Sequence, residues 1–371
     1  MLDFATLSII GEGENCYEGA ITPPIFQTST FSDSEYSYTR CSNPTRSAFQ
    51  KNFAALEKGK YAFGFSSGLA AINAVFSLLR TGDRVIVSDD LYGGTYRMIT
   101  RIYQKYGVEF IFADMTKSEN VVPLLTENTK MIFAETPTNP MMKIVPIEEI
   151  SSICREKNII FAVDNTFLTP FFQNPLTLGA DIVVHSATKF ISGHHDCVAG
   201  AVVVNDESLA EELNMISMTL GNPISPFDAW LCLRGLRTMS LRMKKHQENA
   251  FAVAEFLKTL PEIENVIYPG LSEHSGHSLC SRQATGFGGV VSFSVKDKEL
   301  TERFKRGGKI IKFAESLGGF RSLITYPLTQ THFSIPEERR KEIGITDRLF
   351  RLSLGLENEE DIKRDILSII S

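Results

Sequence analysis

The 371-residue sequence lacks the features that would mark it for a membrane, a nucleic acid or an oxidising compartment. It has no apolar run of about 18 residues, the length that reads as a bilayer-spanning helix. Its first stretch, MLDFATLSIIGEGENCYEG, carries an acid at position 3 and lacks the basic and apolar regions of a secretory signal. No basic cluster interleaved with aromatics occurs, and the formal net charge is −6, so a polyanion is repelled. The six cysteines (Cys16, Cys41, Cys154, Cys197, Cys232 and Cys280) are scattered, with no C-x-x-C pair. That usage argues against a disulfide framework and for a reducing compartment, where cysteine serves as a small apolar side chain. Repeats and low-complexity tracts are also absent. The expectation is a cytoplasmic protein with neither a membrane nor a nucleic-acid partner.

What is present is a globular balance, 43% hydrophobic and 22% charged, over a length that accommodates two domains. Residues 1–42 are short of helical periodicity and rich in Thr, Ser, Gly and Pro, as in ITPPIFQTSTF, and read as an arm lying on another surface. Asn43-Pro44 opens a helix, with Asn as cap, Pro at the first helical position, and Phe49, Phe53 and Leu56 as an apolar stripe. Short apolar runs then alternate with helical stretches: RVIVS (84–88), MIFAE (131–135), IIFAVD (159–164), DIVVHS (181–186) and GAVVV (200–204). Strands apolar on both faces and separated by helices predict a mostly parallel sheet covered on both sides. One long helical segment is expected after Pro226. Beyond it, GGVVSFSV and RLSLGL mixed with helices predict a smaller α+β unit, giving a large domain over 43–240 and a C-terminal one over 241–371.

In doubly wound sheets a ligand sits beyond the carboxyl ends of the strands. Polar clusters fall at those ends: Asp89–Gly94, Thr136–Pro140, Asp164–Thr166 and Ser186–Lys189, with Ser66-Ser67-Gly68 opening a helix whose free N–H groups favour a phosphate. Lys189 ends an apolar strand. The ordinary reading is a solvated lysine, but a partly desolvated one has a lowered pKa and acts as an amine nucleophile or base. Asp164 is an acid able to pair with a pyridinium nitrogen, and Ser186 and Thr188 supply hydroxyls for a phosphate. Amine, acid and phosphate donors together meet the needs of pyridoxal 5'-phosphate. The quartet His194-His195-Asp196-Cys197 is the competing, metal-like signal. Four consecutive residues cannot converge on one tetrahedral ion, and no further ligand stands at suitable spacing, so no metal is expected.

The segment SATKFISGH resembles the cofactor-lysine signature of the Cys/Met-metabolism, or trans-sulfuration, family of pyridoxal phosphate enzymes. The likeness runs through PPIFQTSTF, YSYTRCSNPTR, SSGLAAI, DDLYGGTYR, ETPTNP, VDNTF, SPFDAWLCLRGLRTM, GFGGVVSF, AESLGG, TQTH and RLSLGLE. It implies the aspartate-aminotransferase-like type I fold of such enzymes. It also implies that Lys189 carries the cofactor and then moves the substrate's α-proton, while Asp164 keeps the ring nitrogen protonated. Tyr92 is implied to stack on the ring and handle protons. Gly68 and Leu69 N–H groups with Ser186 and Thr188 are implied to hold the phosphate, and Thr166 and Asn139 to complete the cofactor site. Tyr38 and Arg40 are implied to reach a neighbouring subunit's phosphate, which makes the protein a homotetramer built from dimers that share active sites. Arg351, with Asn139 and Ser316, is implied to grip the substrate carboxylate. On residues alone, Arg351 in its alternating strand and Tyr92 are equally readable as surface and packing residues.

The reaction implied is cleavage of a carbon–sulfur bond in cystathionine or a related sulfur amino acid. Glu315 in AESLGG matches an acid of γ-acting members and favours γ- over β-elimination. The alternative is γ-replacement on an activated homoserine ester, as by a cystathionine γ-synthase or sulfhydrylase. Arg321, where the family often has an acid, departs from the pattern and bears on how a distal carboxylate is held.

Overall fold

The computed structural model describes residues 2–11, 19–32 and 34–371. The sequence-predicted alternation appears as a seven-stranded sheet. Its strands are β1 (Tyr61–Phe65), β2 (Arg84–Ser88), β3 (Glu109–Ala113), β4 (Thr129–Glu135), β5 (Ile160–Asp164), β6 (Ile182–His185) and β7 (Gly200–Val204), in the spatial order β1-β7-β6-β5-β4-β2-β3. Strands β2 to β6 pair in parallel, and β7 runs antiparallel to both β1 and β6. The covering helices include α1 (Phe4–Ile10), α2 (Pro44–Leu56), α3 (Gly68–Phe76), α4 (Gly93–Arg101), α5 (Ile147–Lys157), α6 (Thr169–Phe172) and α7 (Glu207–Leu220). The middle strands bury Val85–Val87, Met131–Ala134, Phe161–Val163, Ile182–Val184 and Val202–Val204, as double-sided coverage requires. Five parallel strands end together on one side, and their carboxyl ends define where a ligand can sit.

Three expectations are corrected. The arm is not free of helix: α1 forms within it, capped by the Asp3 carboxylate, which accepts the Ala5 N–H at 2.8 Å. Its Phe4 ring meets Phe171 edge-on at 5.1 Å, so this part of the arm packs on its own chain. Seven residues span too few turns to show a period. Cys16 lies outside the described residues. The long segment after Pro226 is two helices, α8 (Pro226–Leu236) and α9 (Met239–Lys258), separated at Arg237 and Thr238, residues whose helix propensity gives no warning of a break. Strands β1 and β3 were absent from the sequence reading.

A second sheet follows α9. Its strands are β8 (Ile263–Ile267), β9 (Val290–Val295), β10 (Lys312–Phe313), β11 (Leu323–Thr325) and β12 (Leu349–Ser353), ordered β10-β11-β12-β9-β8 and antiparallel except for β10 with β11. It has its own core around Phe293, Phe304 and Phe350. The boundary expected at 240/241 falls in the first turn of α9, which runs from one core to the other. Among the described residues no helix is long and apolar enough to cross a membrane.

Candidate active site

A cavity of about 310 Å³ opens at the carboxyl ends of the parallel strands. Lys189, Asp164, Tyr92, Gly68, Leu69, Ser186, Thr188, Thr166, Asn139, Arg351, Ser316 and Glu315 all line it, although they come from five separate stretches of the first sheet's unit and from the second. Tyr38 and Arg40 do not. Both are exposed, and the Arg40 guanidinium lies 5.5 Å from the Tyr38 ring centroid and donates to the Met218 carbonyl at 2.6 Å.

Lys189 follows β6 on a tight turn in which the Gly193 N–H donates to the Lys189 carbonyl at 2.8 Å. Its Nζ donates to Ser316 Oγ at 3.2 Å. Burial, reinforced by the positive charge of Arg351 and opposed by Glu315, lowers its pKa to about 8, far below an ordinary lysine. Ser316 holds a φ of +108°, a conformation that costs a non-glycine residue strain. Its hydroxyl faces Lys189 while its carbonyl accepts Arg351 Nη2 at 2.8 Å.

Asp164 ends β5. Its Oδ1 accepts both the Thr166 N–H at 3.0 Å and the Thr166 hydroxyl at 2.6 Å, so Oδ2 is left for a ligand in the cavity. Burial raises its pKa, against the two Thr166 bonds and the nearby His185. A cation placed on Oδ2 reverses that shift, because opposite charge favours the carboxylate. Thr166 Oγ1 in turn accepts the Ser186 N–H at 2.8 Å, which ties the acid to the next strand end.

The third part is a helix start. Ser67 caps α3 through Oγ to the Ala70 N–H at 3.0 Å, leaving the first-turn N–H groups of Gly68 and Leu69 without helical partners. A Cβ at Gly68 would stand 2.8 Å from that of Ser186, so only glycine lets this turn approach Ser186. The Thr188 hydroxyl donates to the Ala199 carbonyl at 3.1 Å and accepts its N–H at 2.9 Å, which makes it a strut of this wall as well as a cavity residue.

Arg351, on β12 of the second sheet, is 2% exposed and therefore not the surface residue its alternating strand allowed. Nη1 donates to Asn139 Oδ1 at 2.8 Å and Nη2 to the Ser316 carbonyl and to Thr325 Oγ1 at 3.1 Å, while Nε has no partner. Burial lowers its pKa to about 10, which leaves it charged at neutral pH. A buried cation with an unused donor beside a cavity suits a carboxylate. Tyr92 precedes α4 and its phenol is raised above the usual range, first by burial and then by Glu315, so it keeps its proton at neutral pH.

One buried acid was missed in the sequence. Glu135 ends β4 in register with Asp164, lines the same cavity, and is pushed well above the carboxylate range by burial and then by Asp164. The signal was legible as an acid closing an otherwise apolar strand. The His194–Cys197 quartet lies on the turn after the lysine, where Gly193 and His195 have φ of +71° and +58°. Cys197 is buried with its sulfur 3.6 Å from that of Cys232. Among the described residues no three His, Cys, Asp or Glu side chains are grouped to hold a metal. Arg321 turns away from the cavity, donating to the Ile310 and Lys309 carbonyls at 3.2 and 3.3 Å.

Pyridoxal phosphate requires an amine of low pKa, an acid for its ring nitrogen and a phosphate cradle. The free Asp164 oxygen, the Cβ-free approach at Gly68 and the Lys189 amine fit each requirement. Fold and site thus define a pyridoxal phosphate enzyme of the aspartate-aminotransferase type. A sequence model of the Cys/Met metabolism PLP-dependent enzymes matches residues 5–370, and the chain belongs to that family. It is 45% identical over 354 residues to the cystathionine gamma-lyase of Bacillus subtilis (strain 168), covering 94% of this chain and 93% of that one. It is equally similar, with the same coverage, to a cystathionine beta-lyase of Lactococcus lactis subsp. cremoris (strain MG1363). Its fold superimposes with a TM-score of 0.97 on the cystathionine gamma-lyase of Lactobacillus plantarum complexed with L-serine, at 38% identity and covering 100% of this chain and 98% of that one. The cofactor is accordingly pyridoxal 5'-phosphate.

Proposed function

We propose that the chain is a trans-sulfuration lyase that cleaves a carbon–sulfur bond of cystathionine or a related sulfur amino acid, with γ-elimination favoured. The observation that carries this reading is the grouping of a weakly basic amine, Lys189, with an acid at the cavity wall, Glu315, and a buried carboxylate grip, Arg351. When bound, the cofactor supplies an electron sink for the pair left on the substrate's α-carbon. Arg351 Nε, backed by Asn139 and Ser316, holds the α-carboxylate and so orients the α-proton. Lys189, partly neutral near pH 7, removes that proton. The γ-route needs a second proton loss at the β-carbon, and Lys189 suits it because Ser316 Oγ is the only hydrogen-bond partner its Nζ has among the described residues. The protonated Tyr92 phenol hands a proton to the departing sulfur. Glu315 faces the amino end of a bulky substrate.

Equal identity to a γ-lyase and a β-lyase keeps β-elimination as the second reading. Product analysis with L-cystathionine separates the two. 2-Oxobutyrate with cysteine supports γ-elimination, and pyruvate with homocysteine overturns it in favour of β. Turnover of an O-acylhomoserine only with added thiol overturns the lyase reading in favour of γ-replacement.

The exposed Tyr38 and Arg40 support a homotetramer in which these side chains complete a neighbour's phosphate site. Sizing by light scattering checks it, and a monomer active at full rate would refute it. The acidic net charge supports a cytoplasmic enzyme of small molecules, free of nucleic acid.

A further inference from the structure

We propose that Glu135 is a positioning residue that fixes the spacing between Tyr92 and the Arg351–Asn139 grip. This rests on the reading of Arg351 as the holder of the substrate carboxylate. Glu135 acts with both oxygens: Oε2 accepts the Tyr92 N–H at 3.0 Å and Oε1 accepts the Asn139 N–H at 2.9 Å. Its own N–H donates to Ser88 Oγ at 3.1 Å, which locks its strand end to β2. From Asn139 the line continues through Oδ1 to Arg351 Nη1, while the Asn139 carbonyl is held by His332 Nε2 at 2.9 Å. His332 is fully buried and its pKa falls to about 3, so the ring is neutral and presents one N–H. One carboxyl group therefore joins the loop after β2, which carries Tyr92, to the loop after β4, which carries the Asn139 support for Arg351.

Stability does not explain this acid. It is buried beside a second carboxylate, and burial and repulsion both disfavour its charged form. Geometry does explain it. Two backbone N–H groups point at it from two loops, and a carboxyl group, ionised or not, has an acceptor oxygen for each. Glutamine offers one acceptor and turns an NH₂ group toward the other N–H.

The test is Glu135→Gln in the holoenzyme, with Glu135→Asp and Arg351→Lys measured alongside. The expected result is a rise in KM for the amino-acid substrate of about fivefold to tenfold, the effect of roughly one lost hydrogen bond. A smaller change in kcat, an altered circular dichroism of the bound cofactor's visible band, and a melting temperature equal to or above the parent's are expected with it. Glu135→Asp keeps both acceptors one methylene short and should shift KM and dichroism in the same direction; it decides the question if the Gln variant does not fold. Parental KM and dichroism in either folded variant, or a lowered melting temperature with both unchanged, would overturn the proposal. Arg351→Lys should raise KM in every case. If it does not, the grip assignment itself fails, whatever Glu135 does.

Discussion

The amine of Lys189 makes the sharpest quantitative demand. With its pKa lowered to about 8, roughly one molecule in ten carries the free amine near pH 7, against about one in 2,500 for an ordinary lysine at about 10.4. The neutral amine is the form that attacks an aldehyde. Cofactor-free protein mixed with pyridoxal phosphate should therefore develop its visible band roughly 200-fold faster near neutrality than an unperturbed lysine would allow. The rate should climb about tenfold per pH unit below 8 and level off above about 9, because almost no ammonium form is left to lose there. Burial sets the midpoint and two neighbours adjust it. Glu315→Gln removes the charge that favours the ammonium form and should move it down, whereas Arg351→Gln removes a repelling cation and should move it up. Stopped-flow absorbance across the range reads all three curves. A rate still rising tenfold per unit beyond about pH 9.5, or the two variants shifting the other way, would refute the electrostatic account.

Two further outcomes concern Asp90 and Gly68. Asp90 is fully buried and raised to about 6; its Oδ2 accepts the Thr138 hydroxyl at 2.6 Å and the Met141 N–H at 3.0 Å, and Oδ1 has no partner. The folded state binds this proton more tightly than the unfolded chain, so the stability it contributes is full below about pH 4 and lost as pH rises through 6, up to about 3 kcal/mol. Asp90→Asn keeps both acceptor bonds and should raise the melting temperature at pH 8 but hardly at pH 3.5; equal shifts at both would show the carboxyl is not titrating there. Gly68→Ala places a methyl against Ser186 and should weaken cofactor binding at least about tenfold in a fluorescence titration, since lost phosphate contacts cost about 1.4 kcal/mol or more. Unchanged affinity would remove this helix start from the phosphate site.

The sequence was most readable where chemistry and burial coincide. RVIVS, IIFAVD and DIVVHS are too apolar to face water on either side, so both the parallel sheet and its polar ends could be located from residue type alone. Lys189 and Asp164 stood out as charges closing such runs. Glu135 closes one as well, but MIFAE was read for its strand and the acid passed over, although its register partner is Asp164. β1 was hidden because YAFGF contains a glycine and pairs antiparallel at an edge, and β3 because EFIFAD opens and closes on acids. Arg351 was ambiguous for a physical reason: alternation in RLSLGL specifies a half-buried strand, whereas in the fold all five residues of β12 are buried and both of its faces are covered.

That seating gives the ligand a mechanical office. Arg351 stands between Phe350 and Leu352 of one hydrophobic core and Lys189 beside Phe190 of the other, so that, on the proposed reading, an α-amino acid would offer its acid to the first and its amino end to the second. On that reading substrate is a rivet across the seam, and an amine stripped of its carboxylate would fasten to one plate alone.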